Sequence, residues 1–244
     1  MPILIILAVM IFAGLIFAGL TFLKTPSGRG WLGEFYVRLV IGKTKPGVKY
    51  VINDCRIRVS EDKTSQIDHI VVNANGVFVI ETKNYSGRIY GQENQQEWTQ
   101  VLNYGKVKNK LYNPIKQNKT HVYHISKVIG ADVPIISAVV FVQGNTRYIS
   151  ADGVYNLGGL KRMIRKGNAE LTAEQMQDIY DKLSVADDKT ITASEHIHNI
   201  RNLQNNVAND ICPRCGKKLV VRYGKNGSFM GCEGYPQCRF TKKT

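Results

Sequence analysis

The stretch "DHIVVNANGVFVIETK", residues 68–83, decides the fold. Two apolar runs flank Asn75-Gly76, a dipeptide that supplies the positive φ of a tight hairpin turn. The two loop lengths that suit the turn set Asp68 opposite Glu81, or opposite Lys83 with Glu81 on the diagonal. Either way Asp68, Glu81 and Lys83 share a face, because side chains alternate with period two and facing residues point the same way. Ile70, Val72, Val77 and Val79 lie on that face, and Val71, Phe78 and Ile80 on the other. Both faces are apolar, so the hairpin is expected at the centre of a covered sheet.

Carboxylates on facing strand positions stand about 5 Å apart and resist joint ionisation when partly buried. A cation relieves this. Mg²⁺ takes one or two carboxylates, keeps several waters, and so leaves positions for a phosphate and an attacking water. Lys83 beside the pair can stabilise developing phosphorane charge or orient the water. The competing reading is an Asp–Lys–Glu ion-pair cluster closing a sheet end, and spacing alone does not separate the two.

The rest of the chain supplies context. Its 244 residues suffice for one main domain with small appendages. Lys and Arg outnumber Asp and Glu by 33 to 19, and the net charge of +14 favours polyanions, whether nucleic acid or anionic lipid. Ile3–Leu23 carries no charge, and at about 1.5 Å rise per residue it spans a hydrocarbon core. A cleaved signal peptide competes with an anchor here, but no basic residue precedes the run and no small-residue cleavage site follows it. Lys24, Arg29, Arg38, Lys43, Lys45 and Lys49 all follow it, which orients the remainder to the cytoplasm of a single-pass inner-membrane protein. Five cysteines do not make a disulfide scaffold: four lie in the last 33 residues at metal-ligand spacing, and Cys55 reads as a buried thiol.

The expected domains are an anchor over 1–24, a main domain over 25–185, a linker over 186–209 and a ribbon over 210–244. In the main domain, 31–43 reads as a helix with Trp31, Phe35, Leu39 and Val40 on one face. Residues 49–60 read as a strand bent near Asn53-Asp54, 95–102 as a short strand or helix, and 134–144 as a buried strand. Asn113-Pro114 opens a helix over 113–130, two more follow over 157–167 and 172–184, and the linker turns helical near "HIHNIRNL".

With "GWLGE" (30–34), "SQIDHIVV" (65–72), "ETKNYSGRI" (81–89), "EW" (97–98) and "NPIKQNKTH" (113–121), the stretch resembles the PD-(D/E)xK nuclease superfamily, and within it the nuclease-related domain called NERD. The resemblance covers about 30–145. It implies an α/β, restriction-endonuclease-like mixed sheet flanked by helices, with Asp68 and Glu81 binding the catalytic metal and Lys83 as the catalytic lysine. It also implies that Glu34 contacts a metal-bound water and that Gln117 supports the site. Ile67 stands where the superfamily has its proline, a departure this family often shows. Taken as residues alone, Glu34 equally suits an ordinary first-turn acid and Gln117 a solvated helical side chain. His121 and His124 read as packing or surface residues.

The C-terminal "CPRCGKKLVVRYGKNGSFMGCEGYPQC" (212–238) places Cys212, Cys215, Cys232 and Cys238 as Cys-x2-Cys and Cys-x5-Cys, a spacing suited to tetrahedral Zn²⁺. It resembles the four-cysteine DNA-binding zinc domains of bacterial type IA topoisomerases. Basic residues outnumber the single acid, Glu233, and Tyr223, Phe229, Tyr235 and Phe240 lie among them, a composition suited to single-stranded nucleic acid. The combined expectation is a membrane-anchored, Mg²⁺-dependent phosphodiesterase acting on DNA. Two alternatives remain: a non-catalytic tether that holds DNA at the membrane, and a ribbon that meets lipid headgroups or protein.

Overall fold

The computed structural model describes every residue except 1, 61, 62, 131, 168, 214, 225, 226 and 244. The chain divides into two compact units, 1–57 with 66–187, and 58–65 with 188–244.

In the first unit a five-stranded sheet runs in the order β1 (Lys49–Ser60), β2 (Lys63–Asn73), β3 (Gly76–Lys83), β7 (Ile135–Phe141), β9 (Val154–Tyr155). Strands β2 and β3 are antiparallel and close at Asn73↔Gly76, while β3, β7 and β9 run parallel. The sheet is therefore mixed, as expected. Parallel pairing of β3 with β7 requires a crossover, and helix α3 (Pro114–Ile129) supplies it.

Both faces of the hairpin are covered. Ile70, Val72, Val77 and Val79 pack with Ile125 and Ile129 of α3 and with Met176, Ile179 and Leu183 of α5 (Ala173–Ala186). Val71, Phe78 and Ile80 pack with Val37 and Ile41 of α2 (Pro26–Ile41) and with Leu160 and Ile164 of α4 (Leu157–Arg165). Full burial of each such side chain contributes roughly 1.5–3 kcal/mol, so β3 is the best-anchored strand on which to mount charged groups.

A second sheet, β6 (Val107–Tyr112), β5 (Glu97–Leu102), β4 (Arg88–Gln92), β8 (Tyr148–Ser150), is inserted between β3 and α3 apart from its last strand. Trp98, Ile89 and Leu111 turn its inner face toward Phe141 and Ile115. Gly91 is required beneath Trp98, because a Cβ there would stand 2.2 Å from the indole. Residues 97–102, open to either reading, form a strand because β4 and β6 both pair with them.

Of the apolar face read for α2, only Val40 packs against the core. Gly33, Val37 and Ile41 are buried, whereas Trp31, Phe35 and Leu39 are exposed and Trp31 stacks on Phe35 at 5.7 Å. Helix α1 (Pro2–Lys24) likewise exposes Met10, Ile11, Phe12 and Phe17. Among the described residues no single helix is long and apolar enough to cross a membrane; Val9–Lys24 and Pro26–Ile41 are so only as a pair, bent by 88°.

In the second unit, much of the stretch read as a linker is helix α6 (Ala193–Ala208), capped by Thr192, whose hydroxyl accepts from Glu195 N–H. Arg58 holds Asp188 at 3.2 Å and Glu195 at 3.1 Å. A three-stranded sheet, β10 (Leu219–Gly224), β11 (Gly227–Cys232), β12 (Thr241–Lys243), forms the ribbon.

Candidate active site and metal centre

The β2–β3 register pairs His69 with Ile80, so the next position sets Asp68 opposite Glu81, the first of the two expected alignments. Asp68 Oδ2 accepts the Thr82 backbone N–H at 2.7 Å. Lys83 Nζ donates to Glu81 Oε1 at 2.6 Å and to Gln117 Oε1 at 3.1 Å. Four of the five predicted residues thus meet directly or across one peptide unit.

Helix α3 brings Gln117 to the strand, and its placement follows from two asparagines. Asn113 caps the helix by accepting Ile115 N–H and donates to the carbonyls of Glu93 and Gln95. Asn118, fully buried, donates to Val79 O at 2.9 Å and Ser137 Oγ at 2.9 Å. One turn after Gln117 comes His121, whose Nε2 stands 3.3 Å from Glu81 Oε2. Sequence reading assigned His121 to packing; the signal available was its i, i+4 relation to Gln117.

Glu34 is held apart. Its Oε2 accepts from Arg38 Nη2 at 3.1 Å, and it touches none of the other four. Gly33 lets α2 approach β3, since a Cβ there would lie 2.8 Å from Asn84 Cβ. That approach leaves Glu34 close enough to be felt: burial raises its pKa, and the charges of Asp54 and Glu81 raise it further against the pull of Arg38.

The electrostatics of the trio separate its members. Burial raises Asp68 well above the usual carboxylate range, and the charge of Glu81 adds to this against the Thr82 N–H and Lys83. Burial also pushes Glu81 upward, but Lys83 and then His121 outweigh it and hold Glu81 below its ordinary value. Lys83 is pushed down by burial, yet Glu81 dominates and raises it, so it remains an ammonium. The two carboxyls are thus pushed in opposite directions, Asp68 upward and Glu81 downward.

Hard divalent cations fit what remains. Glu81 Oε2 is buried with the His121 imidazole 3.3 Å away, and Asp68 keeps one oxygen beyond its bond to Thr82. Two carboxylates with room for waters match the ligand set Mg²⁺ prefers.

The cysteines form a different centre. The four sulfurs lie within 4.8 Å of one another, with Cys215 and Cys232 at 3.3 Å and Cys212 and Cys238 at 3.6 Å, and none forms a disulfide. Sulfurs about 2.3 Å from a shared tetrahedral ion stand roughly 3.8 Å apart, so the cluster suits a structural Zn²⁺. The Lys217 N–H and then Cys232 bring Cys215 down to about 7, while burial and then Cys215 push Cys232 up to about 12. Leu219, Met230 and Phe240 pack beside the cluster, and Tyr223 and Tyr235 are exposed, so the ribbon's aromatics divide between its core and its surface.

Comparison with known proteins matches both parts of the chain. A family model described as nuclease-related domain matches residues 29–142, and one described as topoisomerase DNA-binding C4 zinc finger matches 209–244. An uncharacterized protein of Bacillus anthracis is 32% identical over 184 residues, covering 71% of this chain and 86% of that protein. The ribbon alone is similar to DNA topoisomerase 1 of Methanocaldococcus jannaschii, 62% identical over 32 residues, 13% of this chain and 4% of that enzyme. It is also 50% identical over 34 residues to the uncharacterized protein YrdD of Escherichia coli, 14% of this chain and 19% of that one. No solved structure matches. The chain belongs to the nuclease-related-domain family and ends in a C4 zinc ribbon of the topoisomerase type.

Proposed function

We propose that the protein is a membrane-anchored, metal-dependent nuclease whose site lies at Asp68, Glu81 and Lys83 and whose ribbon holds DNA. The observation that carries this reading is the pairing of a half-buried and a buried carboxylate, Asp68 and Glu81, on adjacent central strands with an ammonium held between Glu81 and Gln117. Bound Mg²⁺ supplies charge stabilisation of the phosphoryl group and a more acidic water. Asp68 and Glu81 hold that ion. Lys83, kept charged, donates to a non-bridging phosphate oxygen, and Gln117 fixes the direction of its ammonium. Glu34 accepts a proton from a water on the α2 side, a role its raised pKa favours.

Anchoring by Ile3–Leu23 is supported by the apolar side chains that α1 leaves exposed, and Trp31 and Phe35 after it suit a membrane–water interface. The basic residues that follow the run support a cytoplasmic position for the working units, at the inner membrane.

The rival is a non-catalytic tether, favoured by one observation: Lys83 and His121 both engage Glu81, as in an ion-pair cluster closing a sheet end. Full-length protein in detergent, incubated with single- and double-stranded DNA and Mg²⁺ beside Glu81→Ala, separates the two. The nuclease reading expects cutting by the wild type alone; equal cutting by both, or none by either across several substrates and metals, rejects it. Recovery of the intact protein in the soluble fraction of lysed cells rejects the anchor.

A further inference from the structure

The outer face of the second sheet has a composition that its packing does not require. Ile89 and Trp98 point inward, so Arg88 and Tyr90 of β4 and Thr99 and Val101 of β5 point outward. The register lines these up in rows. Tyr148, Tyr90, Thr99 and Lys110 cross all four strands, and Arg88, Val101 and Lys108 form the adjoining row.

The two tyrosine rings stack at 4.8 Å with 21° between planes, and each remains more than one third exposed. The guanidinium carbons of Arg88 and Arg147 lie 6.0 Å and 5.7 Å from the Tyr148 ring centre. At the β5–β6 turn Tyr104 takes φ 56 and is fully exposed. A hollow of about 790 Å³ runs from Arg88 and Tyr90 to Tyr104 and Lys108, and a second of about 260 Å³ continues past Tyr90 toward Lys110.

Exposed rings in register with cations are what an unpaired nucleic acid strand needs, since its bases stack on the rings and its phosphates meet the charges. A duplex keeps its bases inside and gains nothing from the rings. A bilayer surface selects aromatics that protrude, whereas Tyr90 and Tyr148 line the hollows. We infer that this sheet face is a stacking platform for single-stranded nucleic acid, distinct from the ribbon. The inference rests on the nucleic-acid reading above but not on catalysis. Ser86, at the rim of the larger hollow, follows Lys83 by three residues, which limits their separation to about 11 Å.

The test uses the full chain in detergent, fluorescein-labelled oligothymidylate and oligouridylate, and no added Mg²⁺, so that cleavage plays no part. Tyr90→Leu combined with Tyr148→Leu should weaken binding roughly tenfold to a hundredfold, while the corresponding Phe pair should bind as the wild type does. Arg88→Gln, Lys108→Gln and Lys110→Gln together should flatten the salt dependence by about two. Photocrosslinks from 4-thiothymidine should map to peptides holding Tyr90, Tyr104 or Tyr148. The platform is overturned by wild-type affinity in the Leu pair, by equal loss in the Phe pair, or by crosslinks confined to 209–244. It is also overturned if the Leu pair loses only phosphatidylserine vesicles and keeps the oligonucleotide. Absence of Mg²⁺-dependent cutting with these binding results intact rejects the nuclease reading alone, and cutting retained with a silent platform rejects this inference alone.

Discussion

Lys83 Nζ stands 2.6 Å from Glu81 Oε1 at the end of one central strand, the glutamate buried and the lysine half-buried. Lys83→Met strands the glutamate charge and should lower the unfolding free energy by about 3–5 kcal/mol. Adding Glu81→Gln removes the orphan and should restore most of the loss. Urea unfolding of the two singles and the double measures the coupling, and additive losses would show that the pair does not act as a unit.

His69 is a second buried titratable group, on the opposite face of β2 from Asp68, with Nδ1 2.7 Å from Asn53 Oδ1. Burial and then the charge of Arg38 lower its pKa to about 3. The unfolded chain then binds a proton below about pH 6.5 that the folded chain refuses until about pH 3, so stability falls as pH falls through that window. Between pH 7 and pH 5 the loss from this residue is about 2 kcal/mol. His69→Gln should flatten that part of a stability-against-pH curve; an unchanged slope would locate the sensitivity elsewhere.

Asn118 ties α3 to the sheet through Val79 O and Ser137 Oγ. Asn118→Ala leaves buried acceptors unpaired and should cost about 2–4 kcal/mol. It should also loosen Gln117 and His121 together. Thermal unfolding gives the first effect, and the ratio of cleavage rates for Asn118→Ala and Gln117→Ala gives the second: comparable losses are expected.

Removal of zinc should act on the ribbon alone. Chelation, or Cys212→Ser with Cys215→Ser, should release one Zn²⁺ per chain and unfold residues 210–244, because so short a segment has little core beyond Leu219, Met230 and Phe240. The first unit should melt at its former temperature. Zinc release followed by a chromogenic chelator, alongside calorimetry, checks both expectations.

The hairpin, the shared face of Asp68, Glu81 and Lys83 in either register, and the helix opened by Asn113-Pro114 were legible because each is specified locally, by turn chemistry, strand alternation and capping; the register itself came from the observed pairing. So was the cysteine cluster, whose spacing is its geometry. Strand β6 escaped because Lys108, Asn109 and Lys110 give it no apolar alternation; only pairing with β5 makes it a strand. The packed side of α2 was misread because Trp31, Phe35 and Leu39 look like a core face, while the close contact with β3 is made through Gly33. At the site, Asp68, Glu81 and Lys83 follow from strand parity. His121 does not, since its approach to Glu81 depends on how Asn118 seats the helix.

The account stands on a divalent cation held by Asp68 and Glu81. Mn²⁺, an EPR-visible stand-in for Mg²⁺, can be titrated into the full-length, zinc-loaded protein and the bound ion counted. The account predicts at least one bound Mn²⁺ that is lost in both Asp68→Asn and Glu81→Gln while far-UV circular dichroism is unchanged. Binding of equal affinity in the wild type and both variants would contradict it.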